Sequence, residues 1–231
     1  METSVFRVGK NNLKINIRDE ADQSVFNEIF RLGEYRSAED AIKTAKNCII
    51  DAGAHVGFFS LYCRALNSSV KIFAIEPEAK NLSALKNHIK NNKIKKIKIF
   101  KGVLAGETGK RHLEISDDSH NHSITYSESE KKIVLVESVS FSDFCKFNKI
   151  KIVDLFKIDV EGAEYEIFEN IKESDLSIVK FIILEYHNGN KRKMIERKLR
   201  QNGFGVQIFP SKFDKTMGFL WAKNKRWNNL F

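Results

Sequence analysis

Residues 49–60 read IIDAGAHVGFFS, which is the pattern of a short apolar strand, a glycine-containing turn and the start of a helix. The helix would bury a face of apolar side chains at helical spacing, namely Phe58, Phe59, Tyr62 and Leu66. Similar strand–turn–helix units recur along the chain, and their nearly continuous apolar strands are typical of parallel strands buried on both faces. We therefore predict an α/β fold with a doubly wound, mostly parallel sheet and helices on both faces.

The same apolar patterns predict the remaining elements. Strands are expected at residues 70–75, 97–100, 133–139, 153–158, 181–184, 206–209 and 218–222. A helix with Leu82, Leu85 and Ile89 on one face should follow the strand at 70–75, and further helices should follow the strands at 153–158 and 181–184. Residues 102–116 have the pattern of a hairpin, and residues 116–129 that of a polar, mobile loop.

The N-terminal segment has a different pattern. Two alternating stretches, 5–8 and 13–17, flank a turn signal and predict a hairpin. Apolar residues at helical spacing then predict a helix that ends at Gly33, and a second helix that begins with a capping box of Ser37 and Asp40. We interpret residues 1–46 as a small hairpin and helical cap, and residues 47–231 as the ligand-binding domain.

Composition favours a soluble protein of the cytoplasm. The 231 residues are 42% hydrophobic and 30% charged, which is ordinary for a globular protein. No apolar run approaches the roughly 20 residues of a membrane-spanning helix, and the N-terminus lacks the pattern of a signal peptide. The cysteines at positions 48, 63 and 145 form no close pair, so we expect reduced thiols and neither a disulfide framework nor a zinc site.

The net charge of +9 comes from 39 Lys and Arg against 30 Asp and Glu. Such a balance can indicate a nucleic-acid partner. Much of the excess, however, is lysine mixed with asparagine and isoleucine, as in residues 91–101, with few aromatic side chains on which bases would stack. We therefore expect that nucleic acid is not the partner. A homodimer is compatible with the sequence.

Two strand ends predict where a ligand binds, because ligands of such sheets lie beyond the carboxyl ends of the strands. The first strand ends at Asp51 and is followed by Gly53 and Gly57. Glycines let the backbone approach a ligand closely. The second strand ends at Glu76, whose carboxylate can accept two hydrogen bonds from a ribose diol.

Two cofactors fit a glycine turn followed by an acid, a nicotinamide dinucleotide and S-adenosylmethionine. The dinucleotide turn has the pattern G-x-G-x-x-G, and His55 replaces its second glycine, where the pyrophosphate must approach. Asp51 would also repel a pyrophosphate, whereas a sulfonium compound with a free amino group tolerates a nearby acid. The details favour S-adenosylmethionine.

Several segments resemble the FkbM family of methyltransferases. They are IIDAGAHVG at 49–57, AIEP at 74–77, DLFKIDVEGAE at 154–164, LEYH at 184–187 and GEY at 33–35. The resemblance covers nearly the whole chain and is strongest from 47 to 187. It implies a Rossmann-like class I methyltransferase fold, with a seven-stranded sheet whose last strand is antiparallel. It also implies O-methylation of a hydroxyl group on a small molecule, a sugar or a glycan or lipid precursor.

The resemblance also implies cofactor contacts. Asp51, Gly53, Gly57 and Glu76 match the family's binding positions, and His55 stands where relatives often have a small polar residue. Residues 102–104 carry no acid, so we expect backbone and apolar contacts to hold the adenine. The full predicted cofactor site is Asp51, Gly53, Ala54, His55, Gly57, Phe58, Glu76, Pro77, Val103 and Asp159.

A second group of polar residues predicts the catalytic site. Strand alternation puts Lys157 and Asp159 on one face, and Glu185 and His187 on one face of the next strand. If those strands are neighbours, the four side chains converge at the carboxyl edge of the sheet. A hydroxyl acceptor needs its proton removed. We predict Asp159 or His187 as the base, with Lys157, Glu161 and Glu185 orienting the base or the acceptor.

Other interpretations remain open at this point. Asp159, Glu185 and His187 would also suit a divalent metal, but spacing does not distinguish a metal cluster from a hydrogen-bonded one, and we assign no metal. Glu161 and Glu164 would also stabilise a helix N-terminus. The rival functions are a nucleic-acid or protein methyltransferase, which lacks its usual Asn-Pro-Pro-Tyr type segment here, and a non-catalytic module that binds S-adenosylmethionine.

Overall fold

The computed structural model describes residues 3–115, 132–211 and 214–230 of the chain. It begins with the predicted hairpin, in which β1 (Thr3–Val8) pairs antiparallel with β2 (Asn11–Asn16). Helix α1 (Glu20–Phe26) continues as a π-helical segment (Asn27–Leu32) that ends, as predicted, at Gly33 in the left-handed conformation. The predicted polar loop at 116–129 lies outside the described residues.

The second N-terminal helix differs from the prediction at its start. A short 3-10 turn (Arg36–Ala38) precedes α2 (Glu39–Thr44), whose N-cap is Ala38, with no side-chain hydrogen bond. The predicted capping box of Ser37 and Asp40 is therefore wrong, because the 3-10 turn places Ser37 inside a helical turn and leaves it no free helix end to cap.

The main sheet has seven strands in the order β11-β12-β10-β9-β3-β4-β5. Their bounds are β3 Cys48–Ala52, β4 Lys71–Glu76, β5 Ile97–Lys101, β9 Val153–Ile158, β10 Val179–Tyr186, β11 Phe204–Pro210 and β12 Gly218–Asn224. Strands β3, β4, β5, β9 and β10 are parallel, and β12 runs antiparallel to both of its neighbours. The Rossmann-like class I methyltransferase fold, with its antiparallel last strand, is confirmed.

Helices connect the strands of this sheet. They are α3 (Phe58–Leu66), α4 (Ala79–Asn91), α5 (Phe141–Phe147), α6 (Glu164–Asn170), α7 (Glu173–Ser177) and α8 (Gly189–Gln201), and a 3-10 helix (Lys225–Leu230) follows β12. Within the described part of the chain, no helix is long and apolar enough to cross a membrane.

A second sheet of three strands was not expected. Strands β6 (Val103–Ala105) and β7 (Gly109–Ile115) both pair with β8 (Lys132–Ser140), β6 in parallel and β7 antiparallel. The predicted hairpin of 102–116 is therefore wrong, since its two strands lie on opposite sides of β8. The predicted strand at 133–139 is the centre of this sheet.

The sheet is buried between two apolar clusters. One cluster joins the hairpin and helices of residues 1–46 to β3 and α3, through side chains such as Ile15, Phe26, Ile49 and Phe59. The other lies among β9, β10, α6 and α8.

The strand order changes direction between β3 and β9, because β3 is followed by β4 and β5 on one side and β9 lies on the other. Such a switch point leaves a crevice at the carboxyl ends of the strands.

Candidate active site

A cavity of about 580 Å³ opens at the carboxyl ends of β3, β4, β9 and β10. This volume lies in the usual range for small-molecule sites. The lining includes most of the residues predicted from the sequence, namely Gly53, Ala54, His55, Phe58, Glu76, Pro77, Val103, Lys157, Asp159, Glu161, Glu185 and His187. Asp51 and Gly57 are not in the lining; Asp51 is fully buried at the end of β3, and Gly57 is the N-cap of α3.

The glycine turn after β3 packs directly against the end of β9. Gly53 has a φ of +77°, and a Cβ at this position would lie 1.6 Å from the carbonyl oxygen of Asp159. Gly57 has a φ of +89° immediately before α3. Only glycine fits the first position, because both its backbone conformation and the space around it exclude a side chain. The turn thereby brings two strand ends together at the cavity.

Glu76 ends β4 and is 5% exposed, with its carboxylate at the cavity. Its Oε2 accepts a hydrogen bond from the backbone N–H of His55 at 2.9 Å, and its Oε1 accepts one from the N–H of Glu78 at 2.9 Å. Burial outweighs these hydrogen bonds and raises the pKa of Glu76 to about 7. Glu76 therefore ties the glycine turn to β4 while it remains at the cavity surface.

His55 links the glycine turn to the N-terminal segment. Its backbone is in the left-handed region, with a φ of 50°, and its Nε2 lies 3.7 Å from Asp22 Oδ1. Asp22 is fully buried and accepts two hydrogen bonds of 2.8 Å from the Arg18 guanidinium. The same guanidinium donates to Asn81 Oδ1 at 2.8 Å, so one network joins α1, the turn and α4.

Lys157 is the centre of a buried charge network between β3 and β9. Its Nζ donates to the carbonyl oxygen of Gly53 at 2.6 Å, and lies 3.4 Å from Asp51 Oδ1 and 3.2 Å from Asp159 Oδ2. Ser60 Oγ donates to Asp51 Oδ2 at 2.7 Å. Burial favours neutral lysine, but the charges of Asp159 and Asp51 outweigh it and raise the pKa of Lys157. Lys157 is therefore a cation that holds both carboxylates in place.

His187 lies between two carboxylates just beyond β10. Its Nε2 is 3.3 Å from Glu161 Oε2 and its Nδ1 is 3.2 Å from Glu164 Oε1. Burial alone would lower the pKa of His187, but the hydrogen bond to Glu164 and the charges of Glu161, Glu164 and Asp159 raise it to about 10. At neutral pH His187 is an imidazolium, so it has no lone pair with which to accept a proton.

Asp159 has the opposite environment. Burial would raise its pKa, but the charges of Lys157 and His187 and the hydrogen bond from Lys157 lower it. Asp159 is therefore ionised at neutral pH and lies at the cavity surface. Of the two bases predicted from the sequence, these protonation states favour Asp159 over His187.

Residues 51–225 match the family model described as the methyltransferase FkbM domain. The chain belongs to the FkbM methyltransferase family. It is 24% identical to methyltransferase sdnD of Sordaria araneosa over 190 residues, which cover 68% of this chain and 73% of the relative. It is 23% identical to the hexuronic acid methyltransferase AglP of Haloferax volcanii over 187 residues, which cover 78% of this chain and 75% of the relative.

The fold of the FkbM-family enzyme is shared with a solved member. The crystal structure of methyltransferase FkbM from Methylobacillus flagellatus aligns with a TM-score of 0.54 and 14% identity, covering 89% of this chain and 55% of that one. At this identity the likeness shows the fold alone. With the family match, it makes this chain a methyltransferase of class I architecture.

The FkbM-family enzyme has further cavity residues that the sequence did not indicate. The N-terminal segment contributes Val25, Glu28, Ile29 and Tyr35, and Asn81, Leu113 and Met217 come from later elements. Val25 and Ile29 lie on the apolar face of the helix that ends at Gly33, and Tyr35 lies in the GEY segment that resembles the family. The sequence carries no signal that this helix packs over the cavity. Glu164 is fully buried and contacts His187, whereas its sequence position predicts a helix-stabilising acid.

A metal remains unassigned in the FkbM-family enzyme. One ligand atom from each of Asp159, Glu161 and His187 lies within 4.8 Å of the others. However, His187 already forms an ion pair with Glu161, and Lys157 forms one with Asp159. The absence of a metal stays a prediction.

Proposed function

We propose that this FkbM-family enzyme methylates a hydroxyl group of a small molecule, a sugar or a glycan or lipid precursor, with S-adenosylmethionine as the methyl donor. One observation carries this proposal. Three features lie at one cavity: Glu76, which can accept hydrogen bonds from a ribose diol, the glycine turn, and the ionised Asp159. The Haloferax volcanii relative, which is named for a sugar acid, supports an acceptor of the sugar class.

The residues present fit S-adenosylmethionine. Glu76 is buried at a strand end and keeps its carboxylate at the cavity, where it can accept hydrogen bonds from a ribose diol. Gly53 and Ala54 line the cavity, so the backbone of the glycine turn is accessible to a ligand. Pro77, Val103 and Leu104 give the same cavity an apolar surface for an adenine ring.

When bound, the cofactor would supply an electrophilic methyl group, whose bond to the sulfonium sulfur breaks as the C–O bond forms and leaves the neutral thioether S-adenosylhomocysteine. The enzyme's own contribution is to position the acceptor hydroxyl and to take its proton as the C–O bond forms. We assign the proton to a carboxylate oxygen of Asp159. Lys157 holds that carboxylate at 3.2 Å and, through Gly53, fixes it relative to the glycine turn. His187 and Glu185 then orient the acceptor.

Calorimetry tests the cofactor. Wild-type protein should bind S-adenosylmethionine and not NAD. Glu76→Gln should weaken that binding about tenfold or more, since the amide loses one charged acceptor for the ribose. Glu169→Gln, a change of the same kind at an exposed position of α6, should bind like the wild type. Tight NAD binding without methyl-donor binding would overturn the proposal.

A further inference from the structure

The amino ends of the parallel strands carry a cluster of exposed lysines. Strands β3, β4, β5 and β9 are neighbours and run parallel, so the segments that enter them meet at one edge of the sheet. The cavity opens at the other ends of these strands. We refer to the exposed lysines at or just before the four strand starts as the lysine edge, which consists of Lys46, Lys71, Lys93, Lys95, Lys96, Lys98, Lys149 and Lys151.

Hydrogen bonds join the loops that carry these lysines. The Nζ of Lys96 donates to the carbonyl oxygen of Ser69, which lies just before β4, at 3.1 Å. The Nζ of Lys98 donates to Oδ1 of Asn148, which lies between α5 and β9, at 2.8 Å. The segments that enter β4, β5 and β9 therefore form one continuous surface.

Few acids balance the charge of this surface. Residues 79–106 contain eight lysines and neither aspartate nor glutamate. Asp154, near the start of β9, is an acid at this edge, but it is buried and forms an ion pair of 2.8 Å with Lys180. Among the residues that the structure describes, no member of the lysine edge takes part in a salt bridge. The lysine edge therefore presents a concentrated positive charge to solvent.

Three of these lysines have an unusual backbone conformation. Lys93, Lys96 and Lys149 have φ values of 51°, 62° and 54°, in the left-handed region. Lys93 and Lys149 come directly after the C-caps of α4 and α5, where glycine or asparagine is usual because a longer side chain is strained there. Strained residues are concentrated at functional sites. A lysine at these positions destabilises the fold relative to glycine, which indicates a role for its charge.

An exposed aromatic ring lies beside the charges. Phe147 ends α5 and is 66% exposed. It is followed by Asn148, which accepts the hydrogen bond from Lys98, and by Lys149. An apolar ring next to basic side chains matches the interface of a bilayer, where apolar groups enter the acyl boundary while lysines contact anionic head groups.

We propose that the lysine edge docks on a bilayer that contains anionic lipid, with the Phe147 ring inserted at the interface. A nucleic acid fits this surface less well. A single strand stacks its bases on several aromatic rings, and Phe147 is the one exposed ring that the structure describes here. Bidentate binding of phosphates favours arginine, and residues 92–98 and 146–152 contain none. Docking by this edge leaves the cavity, at the opposite ends of the strands, open to water.

Sedimentation with vesicles tests the proposal. The full chain is mixed with vesicles of phosphatidylcholine alone and with vesicles in which about a third of the lipid is phosphatidylglycerol. We expect the anionic vesicles to bind about a hundredfold more tightly than the neutral ones, and the binding to weaken as salt rises from about 0.1 M to about 0.5 M, because exposed charges are screened. The assay uses neither methyl donor nor acceptor, so its result is independent of the proposed function.

A triple variant assigns the binding to the lysine edge. Lys93→Asn, Lys96→Asn and Lys149→Asn together remove three charges and introduce a residue that tolerates the left-handed region. Each lysine near an anionic membrane contributes about fivefold to binding, so the triple variant should bind about a hundredfold more weakly. Its Tm should equal or exceed that of the wild type, because the backbone strain falls. A loss of binding with an unchanged Tm cannot come from unfolding.

The matched control removes three exposed lysines outside the lysine edge. Lys110→Gln, Lys193→Gln and Lys215→Gln together give the same net charge as the triple variant. This control should bind within about twofold of the wild type, since charges beyond a Debye length from the membrane contribute little. Phe147→Ser, which removes the ring and no charge, should weaken binding about fivefold.

Three results would contradict the proposal: no binding to the anionic vesicles, equal binding to both kinds of vesicle, or equal losses in the triple variant and its control. The same proteins are also titrated with a fluorescent DNA duplex at the same salt. A duplex that binds more tightly than the anionic vesicles, and loses its affinity in the triple variant, would show that the lysine edge serves nucleic acid and not a membrane.

Discussion

Asp159 and His187 lie at one end of the cavity, but their protonation states give them different chemistry. Asp159 is ionised because Lys157 and His187 lower its pKa despite burial. His187 has a pKa of about 10 and is therefore protonated at neutral pH. A protonated imidazole can donate a hydrogen bond to the acceptor but cannot remove its proton. The two residues should therefore respond differently to substitution.

We predict that Asp159→Asn lowers kcat by about 10²-fold or more, the usual range for a placed base, with S-adenosylmethionine affinity changed much less. His187→Gln, which keeps a neutral donor, should lower kcat less than Asp159→Asn does. Single-turnover transfer rates and calorimetry on both variants measure this. Equal losses in the two variants, or wild-type turnover in Asp159→Asn, would refute the assignment of the base.

Gly53 and Gly162 offer a matched pair of glycines at positive φ. A Cβ on Gly53 would lie 1.6 Å from the Asp159 carbonyl oxygen, whereas a Cβ on Gly162, at φ +99°, would meet nothing within 4 Å. We predict that Gly53→Ala lowers the free energy of unfolding by about 3 kcal/mol or more. The alanine would have a strained positive φ, and the backbone at Asp159 would also have to move away from its Cβ. Gly162→Ala should cost only about 1 kcal/mol, the strain alone. Urea unfolding of both variants decides it; similar losses would show that crowding at Gly53 is relieved elsewhere.

At the scale of elements, Lys157 joins β3 to β9 by neutralising a carboxylate on each side. Replacing it with methionine keeps an unbranched side chain as far as Cε and removes the charged ammonium. Asp51 would then be buried without a cation beside it, and Asp159 would lose its ion pair, so we predict that Lys157→Met lowers the free energy of unfolding by about 3–5 kcal/mol at pH 7.5.

The loss of unfolding free energy in Lys157→Met should depend on pH. The uncompensated carboxylates would have raised pKa values, and as pH falls toward 5 they take up protons and no longer repel each other. The difference from wild type in urea unfolding should shrink accordingly. A difference that is constant from pH 5 to pH 7.5 would mean that the methionine variant loses packing and not charge balance.

The pairing of elements was harder to predict than the elements themselves. Apolar alternation located β6, β7 and β8, but the partner of each strand depends on contacts between distant segments, and the assumed hairpin joined the wrong pair. In contrast, the convergence of Lys157 and Asp159 with Glu185 and His187 followed from strand alternation, because β9 and β10 are adjacent parallel strands. Glu28 and Tyr35 escaped prediction since their place at the cavity depends on how the N-terminal helices pack.

At the scale of the whole molecule, several acids and one histidine have pKa values that are raised by folding. Glu34, Glu76 and Glu161 rise from an ordinary value of 4.5 to about 7, mainly because they are buried, and His187 rises from 6.5 to about 10. A group with a raised pKa in the folded state binds protons more tightly there than in the unfolded chain. The stability that it contributes is complete below its unfolded pKa and is lost as pH rises through its folded pKa.

We therefore predict that the Tm of the protein without cofactor falls steadily from pH 5 to pH 9. The three glutamates act between about pH 4.5 and 7 and His187 between about 6.5 and 10. Below pH 4 the trend should reverse, because the lowered pKa values of Asp22 and Asp159 make protonation of those groups destabilising. Thermal unfolding at constant ionic strength measures the profile. Glu161→Gln should flatten the profile between pH 5 and 8, and the exposed Glu169→Gln should not. A Tm that rises over this interval would show that burial does not raise the pKa values of these carboxylates.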